Sequence, residues 1–92
     1  MSNRDANWLP VKKQLIDDFG HVCWLCGEHH TFLTLHHIIK FEIVKETTYE
    51  NSMILCDHCH QQIVNKLTYN SKEYWDLMNS IRRKMYRYYD VG

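Results

Sequence analysis

The chain has 92 residues, 45% of them hydrophobic and 24% charged, with three Gly and one Pro, which excludes a disordered, collagen-like or low-complexity protein. Eleven basic and eleven acidic residues cancel to a formal net charge of zero, so bulk charge does not mark a purely electrostatic nucleic-acid binder. A chain this short hides only about 60 to 70% of the surface its unfolded form exposes, so one domain over 1–92 with a marginal apolar core is expected, one that a covalent or metal staple would help.

In chain order, Trp8, Val11, Leu15 and Phe19 recur at three and four residues and predict a helix over 8–19. Asn7 is its expected N-cap, Pro10 is tolerated in the first turn and Gly20 is the expected stop. Residues 31–38 read as a strand, with Leu33 and Leu35 on one face. Residues 39–51 show no clear period and read as a loop with a short extended piece at Phe41 to Val44. Residues 52–55 read as a second strand. A helix is expected from Asp57 to about Leu67, with Ile63, Val64 and Leu67 inward and Asp57 or the preceding turn as its cap. After a break at 68–71, Asn70 and Glu73 resemble a capping box. The last helix, about 71–89, then carries an apolar stripe of Tyr74, Met78, Ile81, Met85 and Tyr88. No apolar run approaches the roughly 20 residues that span a bilayer. The early charges Arg4, Asp5, Lys12 and Lys13 are foreign to a secretory leader, so a cytoplasmic protein with no membrane partner is expected.

The four cysteines form two pairs, Cys23-x2-Cys26 and Cys56-x2-Cys59, separated by 29 residues. A disulfide framework suits a secreted chain, which this is not expected to be, and a redox C-x2-C normally occurs once, beside a βαβ pattern. Two such knuckles suit four thiolates around one tetrahedral structural Zn²⁺, whose binding supplies on the order of 10 kcal/mol of folding free energy.

There are seven histidines. His36 and His37 are adjacent at the end of a predicted strand, His60 follows Cys59 directly, and Asn51 lies just before the second strand. A finger with two cysteines and two histidines spaces its histidines by 3 to 5 residues, which His36 and His37 do not do. If four cysteines fill the zinc site, His36, His37 and His60 are free for other chemistry. Singly, each is more often a surface or structural histidine; their arrangement carries the information.

Cys23-x2-Cys26, Leu35-His36-His37-Ile38, Asn51 and Leu55-Cys56-x2-Cys59-His60 occur in the order of the HNH nuclease family, and over roughly 40 of the 92 residues the chain resembles it. The resemblance implies an α+β fold: a small ββα-metal core, or His-Me finger, over about 23–67. Two antiparallel strands and a helix grip one catalytic divalent ion above a four-cysteine zinc, flanked by an N-terminal helix and a C-terminal amphipathic helix. It implies His37 as general base, His36 and His60 as ligands of the catalytic ion, and Asn51 either as a further ligand or as the residue that fixes the base's loop. The implied reaction is hydrolysis of a DNA phosphodiester to a 5′-phosphate and a 3′-hydroxyl. The residue types suit it. An imidazole of pKa near 6.5 is largely neutral at pH 7 and accepts a proton from water, and a cation offsets charge on the phosphate. Relatives often carry Asp or Glu at the position of His36, and Pro three residues after the base, where this chain has Lys40. An imidazole-rich set favours Mn²⁺, Ni²⁺, Co²⁺ or Zn²⁺ over Mg²⁺, unless Glu42 joins it.

Arg82, Arg83, Lys84 and Arg87 put four cations within six residues, interleaved with Tyr86, Tyr88 and Tyr89. They read either as a DNA-contacting helix or as a solvated face that complements the helix dipole. The 3.5-residue period of the apolar stripe leaves room for a homodimer seam, and a small stand-alone chain fits a phage, restriction or mobile-element assembly by analogy. The rival readings are a zinc-ribbon nucleic-acid-binding module with an inactive nuclease site, and a four-cysteine protein–protein adaptor that leaves the histidines idle.

Overall fold

A computed structural model describes residues 5–91, with side chains as far as Arg87; the side chains of Tyr88 and Tyr89 lie outside the described residues. The order is α1 (Trp8–Phe19), β1 (Leu33–His37), a single turn α2 (Phe41–Val44), β2 (Ser52–Cys56), a π-helical segment (Cys59–Val64) and α3 (Lys72–Val91). The fold is thus a mixed one, a two-stranded antiparallel sheet flanked by helices. Among the described residues no helix is long and apolar enough to cross a membrane.

The helix α1 has the expected bounds. Gly20 ends it at a φ of 95° that a side chain would resist, and its N–H returns to the carbonyl of Ile16. Asn7 occupies the N-cap position but makes no side-chain cap bond. It already has helical dihedrals, and the Trp8 N–H is taken by the Asp5 carbonyl instead.

The strands pair from Leu33 opposite Cys56 to His37 opposite Ser52. β1 starts two residues later than the pattern suggests, because β2 ends at Cys56 and offers residues 31 and 32 nothing to pair with; Phe32 is left 80% exposed. Every residue of β2 is buried, with α1 and the π-helical segment both packed on it. Alternation puts Thr34 and His36 on one face of β1, and Leu33, Leu35 and His37 on the other.

The structure corrects several local expectations. Phe41 to Val44 form a helical turn, not an extended piece. β-branched Ile43 and Val44 favour a strand, but Lys45 adopts a left-handed conformation and its N–H closes the turn on the Phe41 carbonyl. The helix after β2 is shorter and wider than a regular one from Asp57 to Leu67. The Asn65 N–H reaches the carbonyl of His60, five residues back. Cys59 and Val64, five residues apart, are both buried; Ile63, expected inward, lies out at 40% exposure. The knuckle itself caps this segment, since the Cys59 N–H donates to Cys56 Sγ. At α3 the cap is Ser71, whose Oγ accepts the Tyr74 N–H, and not Asn70, which has a φ of 67°. Tyr74, Met78 and Ile81 of the predicted stripe are buried, and Met85 packs at the edge of the core.

Candidate metal and active site

The sulfurs of Cys23, Cys26, Cys56 and Cys59 lie within 4.8 Å of one another, and all four are free thiols. Thiolates around a tetrahedral Zn²⁺ at about 2.3 Å stand roughly 3.8 Å apart, so a zinc ion fits with little adjustment. The two knuckles are built alike: the N–H of Cys26 donates to Cys23 Sγ at 3.5 Å, and that of Cys59 to Cys56 Sγ at 3.4 Å. Burial works against a thiolate at Cys23, but N–H groups of Cys26, Cys56 and Leu25 outweigh it and bring the thiol down to about 7. Burial and the neighbouring sulfurs push Cys26 and Cys59 up. A divalent cation is what reconciles four crowded sulfurs with ionisation. Cys26 is the exposed member, and His30 Nε2 stands 3.4 Å from its sulfur, a contact the sequence did not flag. Phe19, Trp24 and Tyr86 pack ring to ring beside the first knuckle and tie it to α1 and α3.

His36 and His60 come together on the Thr34 face of β1, with His36 Nδ1 and His60 Nε2 3.3 Å apart. Two imidazoles sharing one tetrahedral ion at about 2.0 to 2.1 Å place their nitrogens roughly 3.3 to 3.4 Å apart, so this pair fits a divalent cation. Burial lowers His36 to about 3, helped by the neighbouring His60 and His37, so its ring is neutral at any physiological pH. Burial also lowers His60, against the opposing pull of Asp57. The far nitrogens are held by hydroxyls: His36 Nε2 lies 2.8 Å from Tyr74 Oη, and His60 Nδ1 lies 3.0 Å from Thr34 Oγ1. Burial raises Tyr74 to about 12, so it keeps its proton.

His37 points to the opposite face. Its Nε2 lies 2.9 Å from Thr47 Oγ1, and the Phe41 ring of α2 packs edge-on against it at 5.3 Å. Thr47 is in turn bound to Asp5: the threonine hydroxyl and backbone N–H hold the Asp5 carboxyl below its usual range. Burial lowers His37, although Asp5 pulls the other way. Asn51 closes the loop that follows His37. Its Oδ1 accepts the Ile39 N–H and its Nδ2 donates to the Ile39 carbonyl, both at 2.9 Å, while its own carbonyl takes the Ile38 N–H at 2.8 Å.

His36, His37 and His60 line one cleft of about 750 Å³. Its cations are Lys12, over the ring of Trp8, and Lys40, over the ring of Tyr69, with Glu42 on the same wall. The α3 cations do not line it. At about 100° per residue Arg82, Arg83, Lys84 and Arg87 fan over half the helix circumference, and Lys84 donates to the Trp24 carbonyl of the first knuckle at 2.8 Å. Arg83 and Arg87 are exposed and Arg82 is half-buried. Asp5, Lys12, Thr34, Thr47 and Tyr74 were all missed as contributors. Only the Thr34–His36 alternation carried a signal for one of them.

The fold and site define a small α+β domain with a four-cysteine cluster that fits a metal ion and paired imidazoles beside a third histidine. The HNH endonuclease family model matches residues 21–66, half of the chain, and the protein belongs to that family. HNH domains act on DNA, which makes a nuclease or nucleic-acid-binding function the coarse assignment. No curated protein sequence matches the chain.

Proposed function

We propose that the protein is a DNA endonuclease that hydrolyses phosphodiester bonds by a one-metal mechanism, leaving a 5′-phosphate and a 3′-hydroxyl. One observation carries the reading: two neutral imidazole nitrogens converge at 3.3 Å on the wall of the cleft that also holds His37. In this mechanism His36 and His60 would hold the catalytic divalent ion. When bound, that ion stabilises the charge that develops on the phosphate and on the leaving oxygen.

His37 is the general base. With Thr47 Oγ1 accepting from Nε2–H, Nδ1 is the nitrogen left to take the proton from water. Phe41 and Thr47 fix the ring's plane, and Asp5 behind Thr47 offsets the positive charge the ring acquires. A base held in this way contributes about 10²- to 10⁴-fold. Asn51 positions that base: both ends of its amide are spent on Ile39, two residues beyond His37. Lys12 and Lys40 contact phosphates flanking the reacting one, and Arg82, Arg83 and Arg87 provide a more distant DNA contact. The imidazole donors favour Mn²⁺, Ni²⁺, Co²⁺ or Zn²⁺ over Mg²⁺.

The test is cleavage of supercoiled plasmid across Mg²⁺, Mn²⁺, Ni²⁺ and Co²⁺ by wild type and His37→Ala. Nicking is expected in the wild type, strongest with the transition ions, and lost in a variant that keeps its fold and zinc. A folded, zinc-loaded wild type that cuts nothing with any ion overturns the enzyme and leaves a nucleic-acid-binding module.

A further inference from the structure

A hydroxyl has one proton to give and lone pairs to accept with. The Tyr74 hydroxyl donates its proton to the Ile38 carbonyl at 2.6 Å, and a carbonyl can only accept. Its contact with His36 Nε2 at 2.8 Å must therefore run the other way, from N–H to oxygen. His36 is thus the Nε2–H tautomer, and its Nδ1 carries a bare lone pair. The Thr34 hydroxyl repeats the logic. It donates to the Leu55 carbonyl at 2.9 Å, so it accepts from His60 Nδ1–H at 3.0 Å and leaves His60 Nε2 bare. The two bare nitrogens face each other across 3.3 Å with no hydrogen between them. Two acceptors so close repel until a cation lies between them, so the outer hydroxyls hold the pair ready for a metal.

We propose that Tyr74 and Thr34 are the positioning residues of the His36–His60 pair, each fixing one ring in its metal-binding tautomer through a hydroxyl whose proton is committed to a backbone carbonyl. The inference rests on the reading of His36 and His60 as metal ligands. It makes α3 part of the site, because Tyr74 lies outside residues 21–66 that match the family. It also ties the ligand to the base's loop, since the carbonyl that orients Tyr74 belongs to Ile38, the residue after His37. Without the Tyr74 oxygen, His36 is free to place its proton on Nδ1, facing the ion.

Two variants and three readouts test it. Two-bond ¹H–¹⁵N correlation spectra of the protein carrying only its four-cysteine zinc report each tautomer directly. Wild type should show His36 as Nε2–H and His60 as Nδ1–H. Calorimetric titration with Ni²⁺ should show affinity weakened about 10- to 100-fold in Tyr74→Phe, the range typical when a partner behind a metal ligand is lost. Plasmid nicking in that variant should recover when Ni²⁺ is raised, with kcat little changed. Thr34→Val, which keeps the shape of a less buried side chain, should do the same through His60 and serves if Tyr74→Phe does not fold. The proposal is overturned if wild-type His36 carries its proton on Nδ1, or if folded variants bind Ni²⁺ as tightly as wild type. A wild type with these tautomers and this Ni²⁺ affinity that nicks no plasmid overturns the nuclease reading and supports the positioning role.

Discussion

Replacing Cys56 by Ser tests how much of the fold the zinc site carries. The sulfur cluster joins three pieces of chain: the first knuckle, the end of β2 and the start of the π-helical segment. Cys23, Cys56 and Cys59 are all buried, Cys56 to 3% exposure. A structural zinc contributes about 10 to 16 kcal/mol, whereas a domain's whole margin is about 5 to 15 kcal/mol. The best packed side chain at the knuckle is Trp24, fully buried beside Phe19 and Tyr86, and truncating such a residue costs about 3 to 5 kcal/mol. Packing at the knuckle is thus the smaller contribution, and a chain that loses zinc should not stay folded. Cys26→Ser should be milder. Cys26 is exposed, and His30 Nε2, 3.4 Å from its sulfur, is placed to enter as a fourth ligand. The assay is zinc stoichiometry together with thermal melts followed by circular dichroism. Cys56→Ser is expected to show no cooperative melt and no zinc; Cys26→Ser should retain one zinc and melt cooperatively at a lower temperature. A zinc-free Cys56→Ser with a normal melt would refute the reasoning outright, since the core alone would then suffice. If His30→Ala adds nothing to Cys26→Ser, the replacement ligand is wrong.

Asn51→Ala removes two hydrogen bonds to Ile39, each worth about 0.5 to 1.5 kcal/mol, and frees the loop behind the base. A misplacement of about 1 Å costs on the order of 10²-fold, so plasmid nicking should fall by about that much with zinc content unchanged; an unaltered rate removes Asn51 from the mechanism. The lowered pKa of His37 keeps its neutral, proton-accepting form present at lower pH than in a free imidazole. The acid limb of the kcat/KM profile, which reports the free enzyme, should therefore lie below about pH 6.5, and a limb above 7 contradicts the assignment of the base. If Lys12 and Lys40 contact phosphates, the double change to Ala should flatten the slope of log binding constant against log salt by about two, at roughly 0.9 per contact. Changing Arg82, Arg83 and Arg87 to Ala separates the cleft from the α3 surface: a slope that falls only in the second variant assigns the DNA contact to α3.

Spacing made the candidate ligands legible and left the groups that contact them hidden. C-x2-C pairs have few uses, and His60 directly after Cys59 is fixed in space by whatever fixes the cysteine. α1 was readable to the residue because its period and its Gly20 stop agree. Tyr74 shows the limit of periodicity. It sits in an apolar stripe and its ring is in the core, but the hydroxyl at its tip meets His36, and a stripe pattern says nothing about a polar tip. Thr34 and Thr47 were invisible for a related reason: threonine is ordinary in strands and loops, and only the fold shows which ones face a histidine. The π-helical segment escaped because Val64 and Leu67 suit a regular helix equally well. In the folded chain Cys59 joins the sulfur cluster while His60, the next residue, reaches Thr34.

The division between core motif and flanking helices is therefore not one between candidate site and casing. Residues 21–66 contain the four cysteines, His36, His37, His60 and Asn51, and this is the segment that carries the family match. Several groups that contact those residues or share their cleft come from outside it. Tyr74 reaches His36 from α3, and Asp5 reaches Thr47 from the segment before α1. Trp8 and Lys12 of α1 and Tyr69 of the linker build the cleft wall. In a chain of 92 residues no element is far from the site, so a helix that completes the marginal core also has side chains to spare for it. The stripe of α3 illustrates the economy: Met78 and Ile81 fill the interior, and one turn earlier Tyr74 does the same with its ring while its oxygen meets His36 Nε2.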